Sequence, residues 1–173
     1  VQGDVGCGKT AIAFAAMYCC AQAGYQAALM APTEILARQH FDSAQKSLAP
    51  LGIRCGLLLG GMKAAERRAS LAAIASGEWQ GVIGTHALLP EGVAYQSLAL
   101  AITDEQHRFG VRQRKMLSKK GGEAFEPHVL VMSATPIPRS LALILYGDLD
   151  LSIVDELPPG RTPVRTRIVP EAK

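Results

Sequence analysis

Residues 3 to 10 are Gly3-Asp4-Val5-Gly6-Cys7-Gly8-Lys9-Thr10, a stretch that restricts the possible folds more than any other in the chain. It fits the pattern G-x-x-x-x-G-K-[ST] at every fixed position. Its glycines let the backbone wrap closely around an anion and direct N–H groups at phosphate oxygens. A predicted helix follows and presents its positive N-terminal end to the same anion. This phosphate-binding loop therefore predicts a nucleotide site formed by all eight residues, with Lys9 acting catalytically on the β- and γ-phosphates and the Thr10 hydroxyl on Mg²⁺.

Short apolar segments alternate with helical segments over the rest of the chain. The predicted strands are 26–31, 53–59, 81–85, 98–103 and 128–133, and the predicted helices are 8–23, 33–48, 63–76, 107–119 and 139–146. Strands that are apolar throughout suit a sheet covered on both faces. This alternation is typical of α/β folds with a mostly parallel sheet and right-handed crossovers. A strand should precede the phosphate-binding loop, and because only Val1 and Gln2 do so, we expect that first strand to be truncated.

Composition and charge limit the class of protein. The 173 residues suit one domain, and 49% are hydrophobic, which is enough for one apolar core. A net charge of +3 does not by itself indicate nucleic-acid binding. The four cysteines follow no zinc-site spacing, so we expect reduced thiols in a cytoplasmic protein and no zinc. The longest apolar run, 11–21, is shorter than the roughly 20 residues that span a bilayer, so no membrane segment is predicted.

An acidic motif, Asp104-Glu105-Gln106-His107, follows the predicted strand 98–103. The Asp104 carboxylate is expected to hold Mg²⁺, and Glu105 to orient and deprotonate the attacking water. Both stand where α/β sheets bind ligands, at the carboxyl end of a strand. An isolated Asp-Glu pair is more often a solvated helix start, and the phosphate-binding loop is what favours the catalytic interpretation.

Five motifs occur in order and resemble motifs I, Ia, Ic, II and III of superfamily 2 helicases. They are residues 3–10, 31–37, 84–86, 104–107 and 133–136. The longer stretches 31–40, 104–111, 132–139 and 145–161 resemble the RecG-type DNA helicases in particular. The transcription-repair coupling translocases are the closest rival because they share 107–111. They typically have Glu where Gln106 stands, and they lack the segment 157–161, so both differences favour the RecG type.

The resemblance implies the first RecA-like motor domain of such a helicase over residues 1–154. Residues 155–173 are then a linker and the start of a second RecA-like domain of the same parent chain, on which ATP hydrolysis depends. The implied cofactors are ATP and Mg²⁺, and the implied partner is branched or duplex DNA. The implied activity is remodelling of stalled forks and Holliday junctions in recombination and repair, in the bacterial cytoplasm at the nucleoid.

The same resemblance assigns coupling and DNA-contact roles. The residues expected to couple nucleotide state to DNA grip are Gln106, His107, Ser133, Ala134 and Thr135. From the residues alone, Ser133 and Thr135 are as well explained as caps of the next helix. The residues expected to hold DNA phosphates are Pro32, Thr33, Thr85 and His86. Thr33 can also be a helix N-cap, His86 alone would more often be structural, and the basic residues of 108–120 are either a phosphate-facing patch or a solvated helix face.

Two other classes fit part of the pattern. A P-loop kinase for a small molecule would need an arginine-bearing lid, and the motif series through Ser133 argues against it. A regulatory ATP-binding module without catalysis would have no use for a base at Glu105.

Overall fold

The computed structural model describes residues 1–90, 92–104, 126–134 and 150–155. The strands are β1 (Gln2–Gly3), β2 (Gln26–Met30), β3 (Cys55–Leu58), β4 (Gly81–Gly84), β5 (Leu98–Thr103), β6 (His128–Val131) and β7 (Ile153–Val154). The helices are α1 (Lys9–Gln22), α2 (Glu34–Leu48) and α3 (Ala64–Ala75), with short 3₁₀ turns at Ala49–Leu51 and His86–Leu88. The five predicted strands and the first three predicted helices are confirmed. The helices predicted at 107–119 and 139–146 and the segment 157–161 lie outside the described residues.

Five of the strands form one parallel sheet in the order β3-β4-β2-β5-β6. Met30 at the end of β2 pairs with Gly84 of β4 on one side and with Thr103 of β5 on the other. All carboxyl ends therefore lie at one edge of the sheet, called the ligand edge below. The predicted parallel sheet with crossover helices is confirmed.

The phosphate-binding loop reaches the same edge through β1, which pairs in parallel with β7. On its other side β1 meets the continuation of β6, where Gly3 N donates to Ser133 O (3.2 Å) and Ser133 N donates to Val1 O (3.1 Å). The strand order at the ligand edge is thus extended beyond β6 by β1 and then β7. β7 could not be predicted from the sequence, because two residues are too few to show a periodicity.

Both faces of the sheet are covered, as the apolar strands predicted. Ala27 and Leu29 of β2 pack into a cluster with residues of α1 and α2. Their neighbours Ala28 and Met30 pack into a second cluster that includes Ile74 of α3. Successive side chains of a strand point to opposite faces, so a strand that is buried on both faces has no polar alternation. Within the described residues, no helix is long and apolar enough to cross a membrane.

Helix ends follow local chemistry. Thr33 precedes α2 in extended conformation and its Oγ1 accepts a hydrogen bond from Leu36 N (3.3 Å), which confirms the N-cap interpretation. Gly24 follows α1 with φ of 84°, a left-handed conformation that glycine adopts without steric cost. These signals fix where the helices begin and end, and so where the loops of the ligand edge lie.

A buried glutamine joins three segments on the opposite edge of the sheet. Gln26 is 2% exposed, and its Nε2 donates to Ile74 O (3.0 Å) and Trp79 O (2.8 Å). Its Oε1 accepts from Gln96 N (2.8 Å) and Ser97 N (3.1 Å). The amide therefore uses both of its donors and both acceptor positions on backbone groups that precede β4 and β5. From the sequence, Gln26 was predicted only to start a strand.

Candidate functional site

The phosphate-binding loop has the backbone shape that an anion cradle requires. Gly6 and Gly8 have φ of 84° and 96°, in the left-handed region. Gly8 immediately precedes α1, and within the described residues no side chain caps that helix N-terminus. The positive end of the helix dipole at the start of α1 therefore faces the loop without a side-chain cap from the described part of the chain.

Lys9 is held at the mouth of this loop by the loop itself. Its Nζ donates to Gly3 O (2.7 Å) and Asp4 O (2.8 Å), and lies 3.8 Å from Cys7 Sγ. Sulfur is a weak acceptor, so the third N–H is the one that a phosphate oxygen would most readily take over. The ammonium can thus keep its two carbonyl partners and still meet an incoming phosphate.

Gly3 is required by packing as well as by its place in the motif. A Cβ added at Gly3 would lie 2.5 Å from Cys7 Sγ and 2.9 Å from Val154 O. A side chain at Gly3 would therefore displace Cys7 within the loop and push β1 away from β7. From the sequence, Gly3 was assigned only to the phosphate, because β7 was not predicted.

Gly3→Ala is expected to weaken ATP binding about tenfold, which corresponds to ~1.4 kcal/mol and lies within the cost of overpacking a close contact. The matched control is Gly92→Ala, because a Cβ at exposed Gly92 has no heavy atom within 4 Å. Titration with a fluorescent ATP analogue measures both. Equal affinities for the two variants would show that the close packing at Gly3 has no effect on the loop.

Asp104 lies on the same edge as Lys9, with β6 between their strands. It follows β5 directly, and its backbone N donates to Met30 O (3.0 Å). At a spacing of about 4.8 Å between strands, the ends of β5 and β1 are roughly 10 Å apart. Ser133 and Ala134 follow β6 and so lie between the two, where residues that respond to a nucleotide would have to be. Glu105, Gln106, His107 and Thr135 lie outside the described residues, so their predicted roles stay predictions.

The Asp104 side chain has a partner that the sequence analysis did not predict. His40 of α2 places its Nε2 2.7 Å from Asp104 Oδ2, and the two side chains are 9% and 14% exposed. His40 shares the buried face of α2 with Ala37, Ala44 and Leu48. A histidine at helical spacing on an apolar face was the signal that could have found it, although the spacing does not say what it contacts.

The predicted DNA-contact residues gather at the other half of the ligand edge. Pro32 and Thr33 follow β2, and Thr85 and His86 follow the adjacent β4. His86 is exposed, whereas Thr85 is 2% exposed and its hydroxyl has no hydrogen-bond partner among the described residues. The loop after β3 contacts the start of α2, where Gly61 N donates a hydrogen bond to Glu34 Oε1 (3.4 Å). A contact from the Thr85 hydroxyl to DNA would thus require it to become exposed.

The donor set fits a nucleotide with a hard divalent cation. The Thr10 hydroxyl and the Asp104 carboxylate offer oxygen, the ligand type that Mg²⁺ prefers. Within residues 1–90, 92–104, 126–134 and 150–155, no three acidic, histidine or cysteine side chains cluster to form a metal site of their own.

Comparison with known proteins gives a consistent picture. The family model for DEAD/DEAH box helicases matches residues 1–144. The ATP-dependent DNA helicase RecG of Haemophilus influenzae is 55% identical over 174 residues, covering 100% of this chain and 25% of that protein. A solved structure of RecG bound to a three-way DNA junction is 45% identical with a TM-score of 0.78, covering 95% of this chain and 21% of that one. The helicase domain of Pyrococcus furiosus Hef is 22% identical with a TM-score of 0.65, covering 91% of this chain and 35% of that one, which supports the fold alone.

These similarities confirm the predicted RecA-like fold and the predicted resemblance to RecG helicases. The chain spans about a quarter of the length of the curated relatives it matches, at 25% of the Haemophilus influenzae protein.

Proposed function

The chain belongs to the DEAD/DEAH box helicase family, and from this premise we propose that it is the ATP-binding motor domain of a RecG-type helicase that remodels branched DNA. The observation that carries the proposal is the ligand edge, where one half holds a phosphate-binding loop and Asp104 and the other half holds the predicted DNA-contact residues. Because Asp104 follows β5 and β5 pairs with β2, the two halves meet at neighbouring strands, and a change at one half can reach the other through few contacts.

In the proposed mechanism the phosphate-binding loop holds ATP through its backbone N–H groups, and Lys9 neutralises charge that develops on the β- and γ-phosphates. Thr10 and Asp104 would hold Mg²⁺, which lowers the charge of the phosphates and fixes their geometry. Glu105 orients the attacking water and takes its proton. Gln106, His107, Ser133, Ala134 and Thr135 are proposed to pass the state of this site to the DNA-contact residues.

The proposed substrate is DNA with a junction. The RecG structure that this chain resembles is bound to a three-way DNA junction, and the two are 45% identical. Pro32, Thr33 and His86 stand on adjacent loops at the ligand edge, where backbone N–H groups and side chains can hold successive phosphates. We propose that Thr85 packs beneath the loop that follows β4 and supports its conformation, since its side chain is buried.

The remainder of the mechanism requires more protein than this chain. Superfamily 2 motors close ATP between two RecA-like domains, and an arginine supplied from outside a phosphoryl-transfer site is worth about 10³–10⁵ in rate in other systems. We propose residues 155–173 as the linker and start of that second domain, in a bacterial protein that acts in the cytoplasm on nucleoid DNA. The isolated chain should therefore hydrolyse ATP poorly.

The test is ATPase activity of the full-length protein with forked DNA, with linear duplex of equal length, and without DNA. Forked DNA should raise the rate at least about tenfold over no DNA, and clearly more than linear duplex, because only the fork offers the junction. Equal stimulation by linear duplex would favour a duplex translocase of the transcription-repair coupling type. A rate indifferent to DNA would reject the motor function.

A further inference from the structure

The contact between His40 and Asp104 is short and largely shielded from water. The two atoms are 2.7 Å apart, and the side chains are 9% and 14% exposed. A carboxylate oxygen accepts hydrogen bonds, so the contact pairs Asp104 Oδ2 as acceptor with the tautomer of His40 that carries a proton on Nε2. The contact is therefore a hydrogen bond to a charged acceptor in a poorly solvated place, the kind that holds a side chain most firmly.

Asp104 is also the only described member of the acidic motif, and its carboxylate is the group assigned to the cation. A carboxylate that binds a metal must keep one orientation, and hydrogen bonds from neighbouring side chains are the usual means of fixing it. Among the described residues, His40 provides the side-chain hydrogen bond seen on Oδ2.

His40 reaches Asp104 from a helix that begins at the DNA half of the ligand edge. Thr33 caps α2, and His40 lies seven residues later, about 10 Å along the axis at 1.5 Å per residue. A helix is rigid over two turns, so displacement of its N-terminus moves His40 as well. The contact thus joins α2 to the carboxylate of Asp104, although His40 and Asp104 are 64 residues apart in the sequence.

We propose that His40 is a positioning residue that fixes the Asp104 carboxylate for the divalent cation and links it to α2, the helix that Thr33 caps. The proposal rests on the function proposed above, and adds to it a residue outside the acidic motif that controls affinity for the cation.

The test compares His40→Gln with His40→Asn in the full-length protein. The amide nitrogen of glutamine can occupy the place of the imidazole Nε2 and keep the hydrogen bond. The amide nitrogen of asparagine corresponds to Nδ1, and the shorter side chain cannot reach Asp104. Both replacements are amides, so they match in polarity. The readout is Mn²⁺ affinity in the presence of ADP, measured by electron paramagnetic resonance without DNA.

His40→Asn should weaken Mn²⁺ binding about tenfold or more, and His40→Gln should stay within about threefold of the unmodified protein. ADP affinity in excess EDTA should be the same for all three proteins, because His40 faces the cation ligand and not the phosphate-binding loop. Unchanged Mn²⁺ affinity in a folded asparagine variant would overturn the proposal, and so would equal weakening by both variants.

Melting curves establish that the variants are folded, and His40→Leu, which has similar volume and no donor, is the second loss variant. If neither loss variant folds, His40 is a folding residue and the proposal fails. The fork-stimulated ATPase of the unmodified protein is a separate measurement. Its absence would reject the proposed motor function while the Mn²⁺ comparison still decides the role of His40.

Discussion

Replacing Lys9 by alanine is expected to lower the rate of ATP hydrolysis by about 100- to 1000-fold, the usual cost of losing one preorganised electrostatic group. The structure supplies the reason, because Nζ is anchored on Gly3 O and Asp4 O and so stands at the mouth of the phosphate-binding loop. Its loss removes the charge that meets the phosphates and also the tie that holds the loop closed. ATP affinity should therefore fall together with the rate, as steady-state kinetics and nucleotide titration would measure.

Two controls make this result specific. Lys46→Ala removes an exposed lysine from the last turn of α2 and should leave both quantities unchanged. Glu105→Gln should lose a comparable share of the rate but keep ATP affinity, because the amide has the shape of the carboxylate and cannot accept the proton. A Lys9→Ala protein that keeps more than about a tenth of the rate would contradict the assignment of Lys9.

Gln26→Leu is expected to destabilise the domain by at least about 3 kcal/mol. Leucine approximates the volume of glutamine, but it removes the side-chain partner of Trp79 O and of two backbone N–H groups, at about 1–3 kcal/mol for each group that stays buried and unpaired. Ile74 O keeps its hydrogen bond from Gly77 N (3.2 Å). For a domain of this size the thermal midpoint should fall by about 6–12 °C. Differential scanning calorimetry of the protein measures the shift.

The control for this prediction is Gln22→Leu, an identical substitution at the exposed last residue of α1. Glutamine and leucine are both good helix formers and the side chain at position 22 is exposed to solvent, so the thermal midpoint of this variant should change little. Equal thermal midpoints for Gln26→Leu and the control would contradict the prediction. They would mean that the backbone groups bonded to Gln26 find other partners at no cost in free energy. Nucleotide affinity should be unchanged in both variants, because Gln26 lies at the edge opposite the phosphate-binding loop.

The elements that could be predicted from sequence share a local origin. A strand buried on both faces is apolar throughout, and five such segments matched β2 to β6 within two residues at each end. Thr33 bonds to the N–H three residues on, and Gly24 adopts a conformation that other residues avoid, so helix ends were also visible. The strand β7 was missed because it is only two residues long and forms by pairing with β1.

The candidate site divides in the same way. The roles of the phosphate-binding loop and of Asp104 could be proposed from sequence, because residue type and spacing along the chain express what a phosphate and a cation require, and these roles stay predictions. The contact of His40 with Asp104 was not, since 64 residues separate the two. The same holds for Gln26, whose Oε1 serves backbone groups 70 and 71 residues away.

By itself the sequence determined where β2 to β6 and α1 to α3 lie and where those helices end, and it predicts which residues offer the groups that bind a nucleotide. Those properties depend on side-chain period and backbone freedom over a few residues. Only the tertiary structure decided the strand order that puts the phosphate-binding loop and Asp104 on one edge, the packing that excludes a side chain at Gly3, and the partners of His40 and Gln26. These are set by which strands pair across the sheet, and pairing joins residues whose separation along the chain carries no local pattern.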